Sequence, residues 1–260
     1  MDAVNKTLYI PLYGKAYVSR RGLFLADKKA EEIWAREGFA LRGKAGSKWL
    51  AFYMGIRSAV FDDWLRCQLA QDREATVLHI GCGMDSRVLR VAAPDRRWYD
   101  VDFPEVIRER CRYFAESGSY RMVGADVRDP RWLEEVEGTS AIVVMEGVSM
   151  YLTTAQLQAL TAALCRRFDR LTLLTDCYTE LAARLSRRRN PVREVGVEQV
   201  YGLDEPRQIE GGGLTFTAEL PMTPREKINA LQGAEKAVFQ KLYAGKMSQK
   251  LYRLYEFRKG

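Results

Sequence analysis

The 260 residues carry 41 Lys and Arg against 34 Asp and Glu, a formal charge of +7, with 47% hydrophobic residues: enough for a full core under a surface that favours anionic partners. No apolar run reaches the roughly 20 residues that span a bilayer, and the opening "MDAVNKTLYIPLYGK" lacks the basic-then-apolar order of a secretory signal, so a cytoplasmic protein without a membrane span is expected. Cysteines at 67, 82, 111, 165 and 177 form no CxxC pair, and with one histidine they compose no zinc site, so no metal and reduced thiols are expected.

Taken in chain order, a short helix is predicted after Asp27, then a long one capped by Ser47 with Tyr53, Ile56, Val60, Phe61 and Trp64 on one face. Arg57 falls inside that apolar stripe, where a cation needs a partner. A bound carboxylate would supply one, as would a protein acid or water. Lys15, between Tyr13 and Tyr17, has a weaker case, because lysines are mostly solvated.

From Thr76 strands alternate with helices: "TVLHI", "RRWYDVD", "YRMVGAD", "SAIVVME" and "LTLLTD". That alternation predicts an α/β fold with a mostly parallel sheet and helices on both faces. Pro104 suits the first turn of "PEVIRERCRYF", whose Ile107, Cys111 and Phe114 share a face, and Thr153 with Gln156 has capping-box spacing. Residues 178–213 are polar, arginine-rich and glycine-punctuated, an insertion over the sheet or a mobile lid. "LTFTAEL" and "KLYRLYEFRK" read as closing strands that form an antiparallel edge. The expectation is a single domain: a helical cap over 1–74, a ligand-binding core over 75–177, the insertion, and closing strands with a helix over 214–260.

The stretch "ATVLHIGCGMDSRVLRV" runs from a strand through Gly81 and Gly83, with Asp85 and Ser86 where a helix would take its first cap. In an open parallel sheet, ligands sit outside the carboxyl ends of the strands. Asp102, Asp126, Glu146 and Asp176 stand at four successive strand ends, and Asp102 follows Gly81 by about 20 residues, the spacing that places an acid on ribose hydroxyls. Each acid alone could cap the next helix; four together with the glycine turn point to a nucleoside. Asp85 at the exit of the turn and Ser86 in place of the third glycine disfavour a pyrophosphate, so S-adenosylmethionine (SAM) fits better than NAD. The only Tyr-x-x-x-Lys spacing, Tyr255 to Lys259, lies in a predicted strand and does not suit a short-chain dehydrogenase.

"LHIGCGMDSR", "WYDVDFPEVI", "GADVRD" and "VVMEGVSMYL", with "YIPLYGKA" and "GIRSAVFDD", resemble the leucine carboxyl methyltransferase family, in particular its bacterial branch linked to polyketide O-methylation. The resemblance runs from about Tyr9 to the terminal "LYRLYEFRK" and implies a class I SAM-dependent methyltransferase fold with a Rossmann-like sheet. It places Gly81 and Gly83 under the methionine part of SAM, Asp102 on the ribose hydroxyls, and Asp126 at the adenine amino group with the Val127 backbone N–H beside the ring. Glu146 goes to the methionyl amine, and Lys15 and Arg57 go to its carboxylate. His79 and Cys82 depart from the small or aliphatic residues more usual in the family.

Methyl transfer asks the protein mainly to position a nucleophile and exclude water. A carboxylate, with a reference pKa of about 4, needs no general base, whereas a phenol near about 10 more often does. His79, the one histidine, sits inside the first strand and reads as core. A small-molecule carboxylate is therefore the expected acceptor, with Tyr151 on the substrate side orienting the acceptor oxygen or, equally, anchoring the next helix. In "RLSRRRNPVR", Arg187, Arg188 and Arg189 are candidates for substrate recognition, although such runs are mostly solvated. The alternatives are an RNA or protein methyltransferase, motivated by the charge, and a SAM-binding protein without catalysis. The expected partner is an acidic small molecule rather than nucleic acid or membrane.

Overall fold

A computed structural model describes residues 3–38, 41, 43–186, 199–245 and 250–260. Three helices open the chain: α1 (Ala3–Arg20), α2 (Lys28–Glu37) and α3 (Lys48–Gln71). The predicted cap Ser47 accepts from Leu50 N, and Asp27, after which a helix was expected, caps it by accepting from Ala30 N. α1 was not predicted, because Pro11 lies inside it and an interior proline costs a helix about 3 kcal/mol. Tertiary packing offsets that cost. A Cβ on Gly14 would come within 2.7 Å of Met54 Cβ, and one on Gly55 within 2.7 Å of Val18 Cγ2, so the two helices cross closely at reciprocal glycines. This crossing carries Lys15 into the interior.

The alternating segment then unfolds as β1 (Thr76–Ile80), α4 (Arg87–Val91), β2 (Trp98–Asp102), α5 (Pro104–Arg110), β3 (Tyr120–Gly124), β4 (Ser140–Met145), α6 (Thr154–Arg167) and β5 (Arg170–Tyr178). α7 (Glu180–Ser186), β6 (Thr215–Leu220), α8 (Arg225–Ile228), α9 (Gly233–Leu242) and β7 (Tyr252–Lys259) follow. The sheet order is β3-β2-β1-β4-β5-β7-β6, parallel except for β7. The expected antiparallel edge is present, with β7 inserted between β5 and β6.

Because successive side chains alternate across a strand, the sheet feeds two cores. Val77, Ile142, Val144 and Leu254 pack with Phe52, Ile56 and Phe61 of α3, and Leu78, Ile80, Val143 and Phe257 pack with Leu157, Leu160 and Leu164 of α6. The capping box at Thr153 and Gln156 is formed.

Two local expectations are corrected. α5 ends at Arg110, so Cys111 is exposed while Ile107 and Phe114 are buried. Asp85 and Ser86 do not cap α4: the Ser86 hydroxyl donates to Asp27 Oδ1 at 2.5 Å, and Asp85 is taken by Lys15 and Arg90. In the polar segment, Val200, Leu203 and Ile209 are buried, and Tyr201 N donates to Met150 O at 2.8 Å. Arg187, Arg188 and Arg189 lie outside the described residues.

Candidate functional site

A cavity of about 1200 Å³ opens along the carboxyl rim of the sheet, where the glycine turn and the strand-end acids meet. Gly81 (φ 67°) and Gly83 (φ 50°) hold the left-handed conformation that permits the turn after β1. A Cβ on Gly81 would also overlap Val148. The Gly83 amide donates to Asp102 Oδ2 at 2.8 Å, and the Phe103 amide to Oδ1 at 2.8 Å. Each oxygen of Asp102 is thus fixed by one backbone donor and keeps a lone pair for another. Burial pushes the Asp102 carboxyl up to about 6 despite those amides and the nearby Arg110. At the next strand end Asp126, part-buried beside Val127 on the cavity wall, receives Arg128 Nε at 2.8 Å.

Lys15, Arg57, Asp85 and Glu146 on the cavity wall belong to an ionic cluster. Arg57 Nε donates to Glu146 Oε1 at 2.9 Å, and one terminal nitrogen reaches Asp176 Oδ2 at 3.1 Å and Tyr252 Oη at 2.8 Å. Arg87 bonds Asp62 Oδ1 at 2.7 Å and also Glu146, while Arg90 bonds Asp62 and Asp27 at 2.7 Å and Asp85 at 2.6 Å. Lys15 Nζ stands 3.1 Å from Asp85. Four buried cations, Lys15, Arg57, Arg87 and Arg90, therefore face five buried acids, Asp27, Asp62, Asp85, Glu146 and Asp176. An unpaired buried charge is costly, so mutual neutralisation is what keeps the set inside, and one negative charge is left over. Burial works to raise Glu146, but Arg87, Arg57 and Lys15 outweigh it and hold the carboxyl well below its usual range. For Asp176 burial wins over Arg57, and its carboxyl is raised.

Of the three sources of a partner open to Arg57, the chain supplies protein acids, on a cavity-lining side chain. His79 is engaged at both nitrogens, Nδ1 with Asp100 at 3.2 Å and Nε2 with Arg87 at 3.2 Å, and burial lowers its pKa. With Arg87 a donor only, Nε2 accepts and Nδ1 carries the proton. The core reading of His79 fits these partners.

The other end of the cavity is aromatic. Tyr252 stacks on Tyr53 with centroids 6.2 Å apart and meets Tyr178 edge-on at 4.9 Å. Met54, Met150, Leu185 and Leu242 extend this lining, and Tyr151 stands at the mouth, 38% exposed. Asp62, Arg87, Arg90 and Tyr252 were missed at the sequence level. Asp62 lies 25 residues from Arg87 and 28 from Arg90, and Arg57 lies 195 from Tyr252, and no local pattern reports such pairs.

The leucine carboxyl methyltransferase profile matches residues 7–165. The chain is 31% identical over 228 residues to the tetracenomycin polyketide synthesis O-methyltransferase TcmP of Streptomyces glaucescens, covering 85% of this chain and 84% of that one. The chain belongs to the leucine carboxyl methyltransferase family. This methyltransferase is also 26% identical over 236 residues to the S-adenosyl-L-methionine-dependent methyltransferase dpfgK of Gibberella zeae, covering 81% and 78% of the two chains. Its fold is similar to that of magnesium protoporphyrin IX methyltransferase from Synechocystis PCC 6803, with a TM-score of 0.52 and 14% identity over 88% and 94% of the chains. SAM, the donor expected from the glycine turn and the strand-end acids, is the one for which the Gibberella zeae relative is named.

Proposed function

We propose that this methyltransferase forms a methyl ester on the carboxylate of a small, largely apolar acid, a polyketide or another secondary metabolite. The observation that carries this reading is the state of His79: both of its nitrogens are occupied inside the core. Tyr252, a phenol of the cavity wall, is likewise tied to Arg57 and Asp176. An acceptor that arrives already ionised needs none of them as a base. The similarity to a polyketide O-methyltransferase agrees with the tyrosine and methionine lining.

The donor set suits SAM. Asp102 has a lone pair on each oxygen for the ribose hydroxyls, and Asp126 with the Val127 N–H serves the adenine edge. Gly81 and Gly83 leave room for the methionine part, Glu146 faces its amine, and Lys15 and Arg57 face its carboxylate. The single excess negative charge of the ionic cluster complements the net positive charge of the cofactor. When bound, the cofactor supplies an electrophilic methyl group on a sulfonium. Tyr151, at the mouth, orients the acceptor oxygen, and the tyrosine wall keeps water from the reacting atoms. Five free thiols, three of them buried, fit a reducing cytoplasm.

Calorimetry with S-adenosylhomocysteine, followed by transfer of a labelled methyl group to a panel of aromatic and aliphatic acids, tests the proposal. One ligand per chain and a base-labile methyl ester are expected. A base-stable methyl ether on a phenol would refute the carboxylate assignment.

A further inference from the structure

Arg110 is fully buried at the end of α5, and the sequence gives it no role. One terminal nitrogen donates to the Gly83 carbonyl at 3.0 Å, Nε donates to Tyr120 Oη at 3.2 Å, and the other terminal nitrogen bonds Asp100. Its guanidinium carbon sits 3.9 Å from the Phe114 ring centroid. Asp100 is in turn fixed by Trp98 Nε1 at 2.8 Å, Tyr120 Oη at 2.6 Å and His79 Nδ1 at 3.2 Å. The guanidinium therefore has a single orientation, and one arm of it ends on the glycine whose amide holds Asp102. Glycine loses more conformational freedom on ordering than any other residue, so a Gly-Cys-Gly turn needs an external clamp to stay shaped before a ligand arrives.

We propose that Arg110 is a positioning residue for the cofactor site: by clamping the Gly83 carbonyl it fixes the Gly83 N–H, and through it the Asp102 carboxylate, in the geometry that receives a vicinal diol. The inference rests on the assignment of Asp102 to the ribose. Arg110 also acts through charge. Burial raises the Asp102 carboxyl, Glu105 on the same helix adds to that, and Arg110 opposes both; Cys82 in the turn, Asp100 on β2 and Tyr120 on β3 are the other titratable groups beside Arg110.

The test measures S-adenosylhomocysteine affinity from pH 5 to 8 in the full chain and in Arg110→Lys, in the double variant Arg110→Met/Asp100→Asn, which removes both members of the buried Arg110–Asp100 pair together, and in Asp102→Asn. Loss of a charge-assisted hydrogen bond weakens binding about tenfold or more in both Arg110 variants. KM for SAM should rise more than kcat falls, and in the double variant the acid limb of binding should move to higher pH. A folded double variant with unchanged affinity and an unchanged acid limb would overturn the proposal. Asp102→Asn separates the two readings: retained affinity there sinks the ribose assignment itself, whereas lost affinity there with unaffected Arg110 variants sinks only the clamp. If the Arg110 variants do not fold, hydrogen exchange in the unliganded wild-type chain decides. A clamped turn keeps the Gly83 amide protected before ligand is added, and rapid exchange of that amide rejects the clamp.

Discussion

Tyr252 Oη accepts from Arg57 at 2.8 Å and donates to Asp176, so a phenol from β7 ties a helix cation to a carboxylate on β5. The same ring forms part of the aromatic wall of the cavity. Tyr252→Phe keeps that wall and removes the tie. Hydrogen bonds to charged groups contribute about 1.5–3 kcal/mol, and a loss of that order is expected in chemical denaturation. KM for SAM should rise with it, while KM for the acceptor stays close to wild type.

Arg57→Ala should be harsher, because Asp176 would lose its cation in the interior and Glu146 would keep Arg87 alone. Removing one partner of a buried pair costs about 3–5 kcal/mol. Urea unfolding should show a lower midpoint with little change of slope, and S-adenosylhomocysteine binding should be lost at protein concentrations that saturate the wild type.

The Asp102 carboxyl makes unliganded stability and cofactor affinity depend on pH in opposite directions. Its folded value of about 6 lies above the ordinary value of about 4. Its contribution to stability is then fully present below about pH 4 and is lost as pH rises through about 6, a change of roughly 3 kcal/mol at most. Asp102→Asn should flatten that part of the thermal stability profile. Hydroxyl donors prefer the ionised carboxylate, so affinity for S-adenosylhomocysteine should climb between about pH 5 and 7 in the wild type. A flat wild-type affinity profile across that window contradicts the assignment.

Gly81→Ala places a methyl group against Val148 and forces a non-glycine residue to φ 67°. The backbone penalty is about 1–3 kcal/mol, and the overlap adds to it. Val148→Ala in the same chain should recover the steric part only. A melting series of wild type, both single variants and the double separates the two contributions.

Tyr178→Ala opens the aromatic wall away from the glycine turn. KM for an aromatic acceptor should increase about tenfold, in line with a lost aromatic contact and its buried area, with cofactor affinity within about twofold of wild type by calorimetry.

Local chemistry determined much of this protein. Continuous apolar runs such as "TVLHI" and "SAIVVM" became β1 and β4, Ser47 and Thr153 capped their helices, and the acids at or near the strand ends fell on one side because a parallel sheet puts all its carboxyl ends there. What depends on distant segments was decided only by the tertiary structure. The helix through Pro11 exists because α3 packs against it at Gly14 and Gly55, and β7 enters between β5 and β6 because both neighbours offer it a ladder. Asp62, 25 residues from Arg87, and Asp176, 119 residues from Arg57, were matched to their cations by burial, which makes every enclosed charge find a partner wherever the fold brings one within reach.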